Sequence, residues 1–271
     1  SWQPTSTGTT EILMGVWTPS SGATWALGRD GTMLYHDGLR WSPVALEREP
    51  DLTAAWGFGA HDIWATGEGG MLLHWNGAAW ARAGTGHTES LFGLWVNSAD
   101  DAWVVGGYGV ILHWDGVSWS DVPSPVGTFL AGAWGFASDD GWAVGPETVL
   151  RWSGASWRRV TDETWGPLWT IWGASPDDVW AVGQAAFHWD GVGWTRHGLD
   201  PPVQVLSCWG FGPDDIWAVG ASGAILHWDG TAWTSVGSPT AEALWNVWGA
   251  SPDDVWAVGE AGVLLHWDGV S

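Results

Sequence analysis

The chain has 271 residues, enough for one large or two ordinary domains and a sizeable core. Thirty acidic residues face eight basic ones, all arginine, and the formal charge of −22 argues against nucleic acid or anionic membrane as partners. No apolar run approaches the ~18–20 residues of a membrane-crossing helix, and no secretory leader pattern opens the sequence.

In chain order, a leading segment carries Trp2. A first apolar run ends at Trp17, a second is centred on Trp25, a third is MLYH at 33–36, and a fourth begins at Trp41. The pattern then returns. First runs end at Trp56, Trp95, Trp134, Trp172, Trp209 and Trp248, and second runs centre on Trp64, Trp103, Trp142, Trp180, Trp217 and Trp256. Third runs end at Trp75, Trp114, Trp152, Trp189, Trp228 and Trp267, and fourth runs open at Trp80, Trp119, Trp157, Trp194 and Trp233. Aligning Tyr35 with Trp75 and its successors gives spacings of 40, 39, 38, 37, 39 and 39 residues.

Each run is short, rich in β-branched and aromatic residues, and bounded by Gly, Pro, Asp or Ser, so each reads as a strand. Four strands per ~40 residues is the size of a propeller blade. The expected fold is therefore all-β: one seven-bladed β-propeller of four antiparallel strands per blade, filling residues 1–271. The repeats fall at 13–41, 52–80, 91–119, 130–157, 168–194, 205–233 and 244–271, with residues 1–3 added to the last. The last repeat stops at WDGVS and lacks its closing tryptophan, and Trp2 supplies it. The N-terminal segment is thus expected to pair with VLLHW and to hide a strand edge that would otherwise template aggregation. A two-residue DG hairpin would set Leu265 opposite Trp2 and Trp267 opposite Val270, with the two tryptophans diagonal on one face.

The HWDGxxW hairpin resembles the Asp-box, or BNR, class of propeller repeat, and the DVWAVG lead-in is similar to repeats of photosystem II assembly-factor-type propellers. Asp37, Asp115, Asp190, Asp229 and Asp268 match the box aspartate; Asn76 and Ser153 do not, and His stands where the box has Ser or Thr. The resemblance implies the propeller fold. It does not imply a function, because such boxes occur in enzymes and binding proteins alike.

Six histidines, His36, His74, His113, His188, His227 and His266, align at one repeat position with Arg151 in the seventh. Equivalent positions in different blades lie too far apart to share a metal ion, and Arg cannot ligate one. Hydrogen bonding to a turn carboxylate or carbonyl is the expected role. The Asp-Asp pairs read as turn caps, with weak calcium binding as the alternative and no other cofactor expected. No arginine triad with a tyrosine nucleophile emerges, and no catalytic residues are expected. Cys208, the single cysteine, reads as a small buried residue.

Each hairpin pair reads either as an inter-blade packing layer or as a shallow aromatic platform. On the platform reading the ligand-binding residues are Trp2, Trp41, Trp75, Trp80, Trp114, Trp119, Trp152, Trp157, Trp189, Trp194, Trp228, Trp233 and Trp267. The inter-blade links vary while the strands repeat, which makes His87, Trp165 and His197 loop-face candidates. The leading expectation is a non-enzymatic, multivalent glycan-binding propeller: bacterial, monomeric, extracellular or on the cell surface. The alternatives are a protein-interaction or assembly scaffold using the loop face, and an aromatic-cage binder of quaternary ammonium groups.

Overall fold

The computed structural model of the protein describes residues 1–19, 23–46, 50–160 and 165–270. Ser271 at the end of the last expected repeat, and residues 161–164 of one link, lie outside the described residues. Seven separate sheets form, one per repeat. Blade 1 consists of Leu13–Trp17, Thr24–Gly28, Met33–His36 and Trp41–Pro43, each strand antiparallel to the next. Blade 3 repeats the plan with Leu91–Ser98, Asp101–Gly106, Ile111–Trp114 and Trp119–Asp121.

First strands of successive blades pack on one another around the axis, and the first strand of blade 7 packs on that of blade 1. Each sheet is therefore covered on both faces. This explains why second strands such as Asp101–Gly106 are buried along their whole length instead of alternating. The first- and second-strand tryptophans sit directly opposite each other, as at Trp56 and Trp64 or Trp95 and Trp103. Between blades the fit is close. A Cβ on Gly135 would lie 2.0 Å from the Trp95 ring, so only glycine leaves that indole its place.

The ring closes as the sequence requires. Gln3–Pro4 pairs antiparallel with Leu264–Trp267, setting Gln3 opposite His266 and Pro4 opposite Leu265. The Thr5 amide donates to the Leu264 carbonyl at 2.9 Å, and the Ser1 amino group donates to the Val270 carbonyl. Trp2 is buried, 3% exposed.

Two details of register differ from expectation. Trp114 faces Trp119 directly, as Trp75 faces Trp80, so four residues connect each pair and Leu265 faces Pro4, not Trp2. The cause is the turn carboxylate: Asp115 Oδ1 accepts from the Val117 and Ser118 amides at 2.9 and 2.8 Å, holding a longer loop in place of a two-residue one. Gly116 follows at φ 86°, a conformation glycine adopts without strain. Blade 1 inverts one pair. Tyr35 faces Trp25, as His74 faces Trp64, while His36 faces Trp41. Tyr35 therefore takes the repeat histidine's place and His36 the tryptophan's. Blade 6 also gains a fifth strand, Leu199–Asp200, lying parallel to Trp233–Val236.

Candidate functional site

The hairpin tryptophans face neighbouring blades. The fourth-strand indole of each blade stands edge-on against the second-strand indole of the blade before it. Trp80 meets Trp25 at 5.3 Å and 85°, Trp119 meets Trp64 at 5.1 Å and 86°, and Trp194 meets Trp142 at 5.3 Å and 90°. Trp157 on Trp103, Trp233 on Trp180, Trp2 on Trp217 and Trp41 on Trp256 complete the circuit at 79–85°. In all seven the indole N–H is buried and meets no hydrogen-bond acceptor among the described residues. The third-strand partners Trp75, Trp114, Trp152, Trp189, Trp228 and Trp267 lie against the same second-strand rings at 4.6–5.7 Å. Several are pinned by an N–H donated to a turn carbonyl of their own blade, as Trp75 to Ala60 at 3.1 Å.

These contacts favour the inter-blade packing reading of the hairpin pairs over the platform reading. Trp2, Trp157, Trp228 and Trp233 are buried outright, and the other hairpin indoles are half-buried in the same clasp.

Five of the six repeat histidines bind carboxylates, as expected, while His36 faces Trp41 instead. His74 pairs with Asp62, His113 with Asp101, His188 with Asp178, His227 with Asp215 and His266 with Asp254 at 2.6–2.8 Å, and Arg151 takes the place against Asp140 at 3.3 Å. The paired aspartates divide their roles. Asp101, Asp178 and Asp254 hold the histidines, while Asp100, Asp177 and Asp253 lie against the hairpin glycines Gly116, Gly191 and Gly269. Among the described residues, no group of three or more His, Cys, Asp or Glu side chains could hold a metal ion.

These contacts set the acid response. Hydrogen bonds from His266 and Trp256 hold the Asp254 carboxyl below the usual range. At Asp101 burial pushes upward, but His113, Asn97 and Trp103 outweigh it. Donation from Thr231, by hydroxyl and amide, and from the Ala232 amide brings Asp229 to about 2. A depressed carboxyl contributes stability above its unfolded pKa of about 3.9 and loses it as pH falls through the folded value. Burial lowers His36 and His197, the former despite Asp37, and such groups oppose folding once pH drops below the ordinary 6.5. The thermal midpoint should thus fall modestly below about pH 6.5 and steeply below about pH 4. Asp229→Asn should soften the second step, and His36→Gln with His197→Gln the first.

The three link candidates do not converge. His87 bridges Glu89 and Asp121 at 3.2 and 2.7 Å. Trp165 stacks on Phe187 at 4.4 Å and meets Trp194 edge-on. His197 packs against Trp180 and Trp228 at 4.9 and 5.3 Å. His87 and Trp165 therefore help to fix the links against the blades, while His197, the last residue of the strand Trp194–His197, packs between blades.

Sequence reasoning missed the central channel. The first strands enclose a cavity of about 280 Å³ whose lining contains no charged side chain. At the end carrying the first-to-second-strand turns it is plugged by Trp56, Trp134, Trp209 and Trp248. Trp56 lies 5.1, 5.6 and 4.6 Å from the other three, and Trp209 lies 3.6 Å from Trp248. At the end where the links enter, half-buried Phe92, Phe129, Trp169 and Trp245 form an aromatic mouth. Glu11, Glu68, Glu147 and Glu242 are exposed on the links and turns of that face. Cys208 also lines the channel, and burial pushes its thiol up to about 12, which leaves it unreactive. The readable signal was the column three places before each first-strand tryptophan. It changes from Met14 to Phe92, Trp169 and Trp245 while the leucine before it repeats.

No family model and no curated protein sequence matches the chain, so the Asp-box resemblance gains no support from that side. Solved structures do match. YCF48 bound to a D1 peptide superposes at TM-score 0.80 with 19% identity, over 98% of this chain and 96% of that one. YCF48 from Cyanidioschyzon merolae gives 0.80 at 15%, covering 98% of each. The WD40 propeller domain of Doa1 gives 0.80 at 12%, over 98% of this chain and 96% of that one. At these identities the likeness establishes the seven-bladed propeller fold.

Proposed function

We propose that the protein is a non-catalytic interaction scaffold that seats one polypeptide partner over the link face, across the channel mouth. The observation that carries this reading is the contrast between two aromatic sets. The hairpin indoles are clasped between blades, whereas the Phe92, Phe129, Trp169 and Trp245 cluster opens on a face bearing exposed glutamates. Aromatic anchors inside an acidic surround suit a basic segment with an apolar or aromatic residue, and the charge of −22 favours fast capture of such a partner. Peptide binding by a structural neighbour of this fold is consistent with that use. Stacking of repeated sugars on the hairpins, the leading expectation from sequence, is less favoured, because four of these indoles are buried and the others half-buried.

Calorimetry with Arg- and Lys-rich 15-residue peptides carrying one central tryptophan should give one peptide per ring. Trp245→Ala with Phe92→Ala should weaken binding at least about tenfold, as loss of aromatic anchors does. Saturation by several sugars per ring, with no peptide bound, would return the glycan reading to first place. Tetramethylammonium competing at the same mouth would instead favour the aromatic cage.

A further inference from the structure

The wall of the channel is not uniform. In blade 5 the residue two places before the first-strand tryptophan is Thr170, and its Oγ1 accepts from the Cys208 amide of blade 6 at 3.2 Å. Ser207 does the same for Val247 of blade 7 at 3.3 Å, and Asn246 for Val16 of blade 1 at 3.2 Å. A polar side chain thus caps the inward amide of the next blade across one side of the ring.

On the other side the same position holds Gly15, Ala54, Gly93 and Gly132. The amides that follow are those of Ala55, Leu94, Ala133 and Ile171, which share the register of Cys208 and Val247 and so point away from their own second strands. A Cβ on Gly15, Gly93 or Gly132 would lie 3.3, 2.8 or 3.5 Å from the next amide nitrogen, the place a capping side chain would occupy. These four N–H groups meet no side-chain acceptor among the described residues, and all four residues line the cavity.

The channel therefore has an arc of four spare donors, aromatic ends and no charge. Spare buried donors favour an occupant that brings acceptors. An anion finds no counter-charge in the wall and meets the field of a molecule carrying −22. A cation finds no carboxylate in the wall. We propose that the channel is a binding site for a neutral, mainly apolar small molecule bearing carbonyl oxygen, held by rings at its ends and by the amide arc at its oxygen. This site shares its mouth rings with the polypeptide reading but not its amide arc, so a change in carbonyl preference caused by arc variants can be told apart from a loss of peptide binding.

The test uses 9-fluorenone and fluorene, which share a ring framework and differ by the carbonyl, with a fluorenone carboxylate as the charged comparison. On the full chain, calorimetry should show one fluorenone per ring, bound at least about tenfold tighter than fluorene, the effect of one net hydrogen bond, and little carboxylate binding. Ala54→Ser and Gly132→Ser place hydroxyls where Ser207 has one, capping the Leu94 and Ile171 amides. Together they cap two of the four amides and should reduce the preference for fluorenone over fluorene while keeping or raising the thermal midpoint. Equal binding of the two probes, binding of neither, or a preference undiminished in a folded double variant overturns the proposal.

Discussion

Trp2→Ala should cost about 3–5 kcal/mol of stability and lower the thermal midpoint by roughly 10 °C. The residue is 3% exposed, lies 5.4 Å from Trp217 edge-on and 6.2 Å from Trp267, and anchors the short strand that completes blade 7. Trp233→Ala removes the equivalent ring inside blade 6, at 5.5 Å from Trp180, without loosening a chain end. Urea unfolding of the two should show similar transfer and cavity losses. Only the Trp2 variant should also open locally, seen as faster amide exchange along Leu264–Trp267. A Trp2 variant within 1 kcal/mol of the parent, on the scale of the ~3–5 expected, would mean that closure contributes little.

Asp101→Ala comes second, with an expected loss of about 3 kcal/mol. The carboxylate is 7% exposed and accepts from Asn97 at 3.0 Å, Trp103 at 3.0 Å and His113 at 2.8 Å. Removing it strands a buried indole N–H and two further donors. Asp101→Asn keeps one acceptor and should lose about half as much. In blade 2 the equivalent Asp62 accepts from His74 alone among the described residues, so Asp62→Ala should cost only about 1 kcal/mol. Equal losses at Asp62 and Asp101 would refute the idea that the donor count sets the cost.

Much of this architecture is legible in the sequence because tryptophans mark nearly every blade strand. Their spacing yields seven blades, and the tryptophan missing after WDGVS predicts the placement of Trp2. The histidine–carboxylate pairs are legible too, since Arg151 can replace His as a donor but not as a metal ligand. Turn register is not, because it depends on an Asp115 side chain bonding two amides. Nor is the direction of the hairpin indoles, which is set by how the next blade leans against its neighbour. Trp165 and His197 stand out as non-repeated residues, yet each packs against aromatic rings. The amide arc is hidden for another reason. Glycine and alanine at Gly15, Ala54, Gly93 and Gly132 become informative only when the ring places Thr170, Ser207 and Asn246 in the same circle.

The edge-on indoles all lean the same way, each blade grasping the one before it. Such head-to-tail joints are satisfied only when the sequence of them returns to its start. A fragment missing one sector would show a bare second-strand ring at one flank and an empty grip at the other. Those two surfaces fit each other, so truncated products should string together between molecules, and concentration should decide between small closed assemblies and fibres.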